Sequence, residues 1–372
     1  MVEVRELAPG NLSLFIKFPY KFYKEDSLWV PPLISERKEF FNPAKNPFFQ
    51  HARVRYFMAY DNGRPVGRVA GILNEAHNGF HGEKVYFFGF FECEENLDFA
   101  AALMEKVEKA AKEEKMEILR GPANFSTNDE VGFLLEGFEY PPVVMMSYNP
   151  PYYNEFMEKL GFSKAKDLLA YITDEENRPP ERMVRVAQKV KEKEDVRVRN
   201  LRMKNFADEV KIVKAIYNQA WEKNWGFVPM TDAEFENAAR KLKPLVDPDL
   251  VFIAEVDGLP VGFSLTLPDI NQVLIKLKGR LFPFGFFKLW WHTKIKRKIT
   301  TGRTITMGII PEYRKRGIDN VLTTDTYFTG IKKGYTTGEM SWVLEDNYMM
   351  NRIAEVWGAK LYKKYRIWEK NL

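Results

Sequence analysis

The residues whose types and spacing best suit chemistry lie in Met307-Gly-Ile-Ile-Pro-Glu-Tyr-Arg-Lys-Arg-Gly-Ile-Asp-Asn320. This segment leaves a β-branched run, turns near Pro311 and enters a stretch of helical character from Asn320 to Lys333. A helix start presents unpaired N–H groups and a partial positive charge, which suits a phosphate or pyrophosphate. Arg314, Lys315 and Arg316 add positive charge, and Gly317 lets the backbone approach a ligand closely. Asp319 can cap the same helix through its N–H groups, but it also sets a negative charge beside any bound anion. A plain basic turn between strand and helix is the alternative reading.

The elements that must position this loop occur twice. Tyr56-Phe-Met-Ala-Tyr-Asp-Asn-Gly-Arg-Pro-Val-Gly67 reads like Val251-Phe-Ile-Ala-Glu-Val-Asp-Gly-Leu-Pro-Val-Gly262. Each is two strands around an Asn-Gly or Asp-Gly turn, whose central residues tolerate positive φ. Tyr153 to Phe162 and Met350 to Ala359 form a second matching pair, a short helix ended by glycine and followed by an aromatic-rich strand. The two pairs are displaced by nearly the same number of positions, which argues for tandem copies of one fold. Between the landmarks, Val85 to Phe91 reads as a strand, Leu97 to Lys115 as a helix and Met116 to Arg120 as a strand. The second copy offers Thr304 to Ile310, Asn320 to Lys333 and Glu339 to Leu344 in the same order. Interleaved strands and helices predict α/β domains with a mixed sheet. The expected divisions are 1–172, a linker helix over 173–195 behind Arg178-Pro-Pro180, and 196–372.

A chain of 372 residues, 45% hydrophobic and 15% aromatic, has material for two packed cores. The one cysteine, Cys93, permits no intrachain disulfide and fits a reducing compartment. No signal peptide and no apolar run of the ~20 residues needed to span a bilayer is apparent, so a cytoplasmic chain, peripheral to a membrane at most, is expected. The net charge is +5, yet Asn271 to Arg303 holds nine basic residues and no acidic one, so the remainder is mildly acidic. This basic segment also carries Phe282, Phe284, Phe286, Phe287, Trp290 and Trp291. Residues 274–298 therefore suit an anionic membrane surface, an acyl-chain tunnel, an acidic acyl carrier protein or an ordinary core helix with a solvated face. With the basic charge local and no reading module in view, no nucleic acid is expected.

On Arg314, Gly317 and the Pro311-Glu-Tyr lead-in, the second copy resembles the GNAT superfamily of N-acyltransferases, from whose usual loop Asp319 departs. The resemblance implies coenzyme A or an acyl-CoA at Ile309, Ile310, Arg314 to Asp319 (including Ile318) and Asn347. Gly121 to Glu130, Met145 to Tyr153, Tyr217-Asn-x-x-Trp221 and Leu267-Pro-Asp-Ile-Asn271 resemble bacterial tandem-GNAT proteins of the YghO type, related to bacterial ceramide synthases. That implies transfer of an acyl group to a small-molecule or lipid amine, with Trp221 on the acceptor side. The family's usual tyrosine acid is absent, since Ala354 stands at its place.

Such transfer needs a base for the amine and donors for the thioester carbonyl. Glu339 and Asp269, at strand ends, are candidates for the base, although such carboxylates are more often merely solvated. Tyr348 and Tyr313 are candidates for the acid, and Asn271 for orienting the acceptor. In the first copy, Glu92, Glu94 and Glu95 replace the basic loop and would repel a pyrophosphate. Its Asn124, Ser126, Asn128 cluster, with Asp129 and Glu130, suits either acceptor binding or the ordinary chemistry of turns. His77 and His81 share helical spacing, but Gly79 between them favours a surface loop without metal. Cys93 reads as a structural thiol.

Overall fold

The computed structural model describes residues 2–174, 178–280 and 299–372. These form two compact units. The first unit takes the chain up to Leu168, a short segment beginning at Leu274, and Lys363–Leu372; the second holds Leu169–Val273 and the stretch that ends at Tyr362. The last strand of each copy therefore contributes to the unit built mainly from the other copy.

In the first unit, β1 (Val2–Leu7), β2 (Ala52–Asp61), β3 (Arg64–Asn74), β4 (Val85–Cys93) and β5 (Ile118–Gly121) follow one another across the sheet. The helices are α1 (Ser13–Phe22), α2 (Ile34–Phe40), α3 (Glu75–His81), α4 (Leu97–Glu113) and α5 (Tyr152–Lys159). Short β6 (Phe133–Glu136) and long β7 (Ser163–Asp174) complete the first copy. Asn62 and Gly63, at φ 48° and 77°, form the expected tight turn between β2 and β3. On α4, Ala100, Leu103, Met104, Val107 and Ala111 are buried, the helical spacing of one core-facing stripe.

The second unit contains α6 (Glu181–Lys193), β8 (Val196–Asn200), α7 (Phe206–Trp221), α8 (Asp232–Leu242), β9 (Val251–Val256), β10 (Leu259–Pro268) and α9 (Asn271–Leu274). Then come β11 (Thr301–Ile309), α10 (Ile318–Lys333), β12 (Thr337–Leu344) and α11 (Tyr348–Val356), before β13 (Lys360–Asn371) ends the chain. Its sheet runs β12-β11-β10-β9-β8, with the Leu169–Asp174 part of β7 beside β12. From β8 to β11 the neighbours are antiparallel, and β11 and β12 are parallel. Asp257 and Gly258 repeat the tight turn at φ 50° and 77°. The segment expected as a linker folds as α6, whose Ala187 and Val190 pack against Ile318 and Val321 of α10.

Both copies bend the strand after the hairpin in the same way. Between Arg68 and Ala70 the β3–β4 register shifts by one extra residue on β4, and Phe90 there has φ 51°. Between Leu265 and Thr266 the β10–β11 register shifts by one extra residue on β11. A bulge of this kind kinks its strand and takes one residue out of the ladder.

Two expectations need correction or a physical account. His77 and His81 lie in α3 and not in a surface loop. Asn74 accepts the His77 N–H at 3.1 Å to start the helix and Gly82, at φ 66°, ends it, so Gly79 is accommodated inside one closed turn set. His77 is buried with Nε2 3.0 Å from Glu83, and burial pulls its imidazole down to about 4. No cluster of three or more metal-ligating side chains occurs among the described residues. The acidic run of the first copy is met by arginines on β3: Glu92 pairs with Arg68 and Glu94 with Arg64. Cys93 is buried, and burial pushes its thiol well up.

Gly89 supplies a direct test of how tightly β4 is packed. A Cβ there would sit 2.0 Å from the Ala123 carbonyl oxygen, a backbone atom that cannot rotate away. Gly89→Ala is expected to lose about 1–3 kcal/mol in urea denaturation, whereas Gly10→Ala, with nothing within 4 Å, should stay within about 0.5 kcal/mol.

Candidate active site

β11 and β12 pair over four positions, Thr301↔Thr337 to Thr304↔Met340, and then part. The bulge lies where pairing stops, because it bends β11 just beyond Thr304. α10 and α11 flank the opening, with Tyr327 of one and Trp357 of the other at a ring separation of 6.0 Å. Between these helices and the strands, mostly beside the stretch that still pairs, lies a cavity of about 940 Å³, adjoining open solvent included. Thr304, Met307, Glu339, Met340, Tyr327 and Trp357 belong to its wall, which is predominantly apolar.

Two carboxylate residues, Asp174 and Glu339, belong to this wall, and Glu339 is the buried one. The Glu339 side chain has no exposed surface, and it faces Arg303 across the parallel register at 3.5 Å. Tyr362 donates its hydroxyl to Glu339 Oε1 at 3.4 Å. Arg303 is itself buried and donates to the Ser341 hydroxyl at 3.0 Å and the Ser341 carbonyl at 3.2 Å. A buried carboxylate is tolerable because a guanidinium lies beside it. The pair thus places an acid–base group in an otherwise apolar cavity.

The other expected catalytic and acceptor groups lie elsewhere. Asp269 is buried beyond β10, where its carboxylate accepts the Asn271 N–H at 3.2 Å and so shapes the turn into α9. Tyr348 is 81% exposed at the start of α11, and Tyr313 lies beneath the Arg316 guanidinium at 4.7 Å. Neither Asp269, Asn271, Tyr348 nor Tyr313 belongs to the cavity wall. Trp221 stacks on Tyr217 at 4.8 Å and covers Gly308, where a Cβ would meet the indole at 2.2 Å. Asn347 caps α11 by accepting the Met350 N–H at 3.3 Å.

The basic loop is largely engaged in its own structure. Arg314 donates to the carbonyls of Ile309 at 3.2 Å and Ala220 at 2.7 Å. Arg316 lies 3.5 Å from Glu194, and Lys315 is exposed at φ 63°. Ile309 and Ile310 pack at the rim of the core around Ile318. Gly317 takes φ 83° as the residue before α10, and a Cβ there would lie 2.9 Å from Val190 of α6. Asp319 accepts its own N–H and that of Asn320, and burial pushes its carboxyl up from the ordinary aspartate value despite those bonds. The three cations suit an anion, but Asp319 competes for the helix N–H groups.

In the first unit the corresponding place is filled by the chain itself. β4 and β5 pair from Val85↔Ile118 to Phe87↔Arg120, after which Ala123 donates to the Phe88 carbonyl at 2.8 Å. Asn124 accepts the N–H of bulge residue Phe90 at 2.7 Å and donates to Glu130 at 3.0 Å. Ser126 donates to Asp129 at 2.8 Å and accepts the Asn128 N–H at 3.2 Å. Of the two readings of this cluster, the turn-forming one describes these bonds.

Arg303 and Tyr362 were not singled out from the sequence. Arg303 counted only as part of a basic stretch, and its register opposite Glu339 is set by parallel pairing between positions 36 apart in the chain, which no local spacing reveals. Of the basic aromatic insert, 281–298 lies outside the described residues, while Leu274 and Leu277 before it are buried. No described helix is long and apolar enough to cross a membrane.

No protein-family model matches the chain. It is 35% identical to protein YghO of Escherichia coli K12, over 98% of this chain and 94% of that protein. It is 36% identical to a bacterial ceramide synthase of Caulobacter vibrioides, over 98% of this chain and 96% of that one. Among solved structures, a tandem GNAT protein from the clavulanic acid biosynthesis pathway is similar in fold, at TM-score 0.58 and 10% identity, covering all of this chain and 98% of the other.

The raised carboxyl of Asp319 carries a signed pH prediction. The folded chain holds this proton to higher pH than the unfolded chain, so stability falls as pH rises from about 4 through the folded value. Asp319→Asn should match the parent in urea denaturation near pH 4 and exceed it at pH 7. The same variant should bind pyrophosphate more tightly, read by calorimetry.

Proposed function

We propose, for a chain that belongs to the family of YghO and the bacterial ceramide synthase and folds as a tandem GNAT protein, that its second unit transfers an acyl group from an acyl-CoA thioester to an amine. The observation that carries this reading is the buried Glu339 carboxylate in the predominantly apolar cavity beside the paired stretch of β11 and β12. The ceramide synthase relative supports a fatty acyl group and a long-chain amine acceptor. The apolar wall agrees with that choice, since a chain entering it loses its contact with water.

The donor supplies a thioester-activated acyl group. Lys315 and Arg316 would hold its phosphates at the surface, with Gly317 giving close backbone approach. Glu339 takes a proton from the amine, and Arg303 beside it orients the carboxylate. The amine nitrogen then bonds to the acyl carbon, the carbon–sulfur bond breaks, and the thiolate is protonated from water at the open mouth. The bulge in β11 leaves a residue outside the ladder whose main chain can polarise the carbonyl. The apolar wall keeps bulk water from competing with the amine.

Two variants test this. Glu339→Gln should lower kcat for amine acylation by about 10²–10⁴-fold while donor affinity in a thermal-shift titration stays unchanged. Lys315→Glu combined with Arg316→Glu should weaken coenzyme A binding and leave the melting temperature of the free protein nearly constant. Absence of any acyl transfer by the parent, together with no thermal shift from any acyl-CoA, would sink the reading.

A further inference from the structure

The cavity extends along β11. Its wall runs from Met307 and Thr323, on the side of the basic loop, to Gly302, Gly330 and Tyr335. Met307 lies five positions along β11 from Gly302, about 16 Å along the strand. The two glycines at that end differ in what holds them. A Cβ on Gly302 would lie 3.3 Å from the Thr266 methyl and 4.0 Å from the Tyr335 ring. A Cβ on Gly330 would find nothing nearer than Tyr335 Cβ at 4.0 Å.

Gly330 lies inside α10, three residues before its last turn closes at Lys333. Glycine there is an unfavourable choice, because it gives the unfolded chain more freedom to lose. Gly330 is absent from the positive-φ glycines, and no neighbour crowds its Cβ position. Neither backbone nor packing therefore requires it. What it does is leave the far end of the cavity open, opposite Gly302 and beside Tyr335.

We propose that Gly330 is the specificity-determining position that sets how long an acyl chain the cavity accepts, by leaving room for the chain's methyl end. This rests on the transferase reading above. The polar part of the donor lies at the basic loop, so its chain extends toward Gly330, along a predominantly apolar wall. Each methylene buried there adds affinity, so a side chain grown into the same space removes the affinity of the longest chains first.

The test uses the full-length protein and free fatty acids, so that no catalytic step enters. Octanoate, dodecanoate and hexadecanoate compete against a fluorescent polyene fatty acid, on the parent, Gly330→Ala and Gly330→Leu, with melting temperatures recorded alongside. The ratio of hexadecanoate to octanoate affinity should fall from glycine to alanine to leucine, by about ten-fold or more for leucine. Gly330→Ala should melt at or above the parent, and it carries the comparison if the leucine variant does not fold. An unchanged ratio in a folded variant overturns the proposal, as does equal loss of short and long chains. A parent that binds none of the three acids overturns it too, while leaving transfer of a short acyl group standing. A parent that binds as expected but acylates no amine supports the chain-length role and overturns the transferase reading instead.

Discussion

Everything proposed for the second unit depends on two parallel strands that stop pairing. β11 and β12 share four paired positions and then separate, although both continue as strands to Ile309 and Leu344. Backbone N–H and C=O groups that leave a ladder need other partners, and burying them without any is costly. The extra residue in β11 makes the separation by bending the strand at that point. α10 and α11 flank these strands, and the cavity lies between the helices and the stretch of sheet that still pairs.

The same device in the first unit ends differently. There the bulge at Phe90 meets a loop that returns against β4, and the Asn124 carboxamide takes the Phe90 N–H. The loop is itself held by Glu130, Asp129 and Ser126. Gly89 has no side chain because the Ala123 carbonyl occupies the position where one would project. One fold thus has two outcomes: in the first unit the returning chain closes on the bulge, and in the second a cavity remains beside the strands.

Electrostatics sharpens the contrast at the mouth. A helix N-terminus with three adjacent cations is a strong place for an anion. Here Asp319 already satisfies part of that terminus, Arg314 is pinned to two carbonyls and Arg316 lies near Glu194. α6 closes one side of the loop, with Val190 against Gly317 and the Met183 carbonyl accepting from Asn320 at 2.8 Å. These arrangements stabilise the loop before any ligand arrives, and they leave Lys315 and the cavity's apolar depth as the features most open to one.

The repeat, the tight hairpin turns and the strand–loop–helix order around Gly317 were legible in the sequence, because each rests on local rules. Asn-Gly and Asp-Gly adopt positive φ within the turn itself, apolar spacing marks a helix face, and a glycine before a helix is recognised from its neighbours. The burial of Glu339 was not legible. Glu339 and Asp269 look alike as carboxylates at strand ends, yet parallel register sets the first against Arg303 inside a cavity, while the second caps its own turn. The same holds for Asn124, whose polar run is ordinary turn chemistry until the fold brings it to Phe90. The sequence by itself thus determined the repeated strands, helices and the basic loop between them. Tertiary structure alone decided which carboxylate is buried, which opening is filled and where the glycines leave space, because those outcomes depend on pairing between segments far apart in the chain.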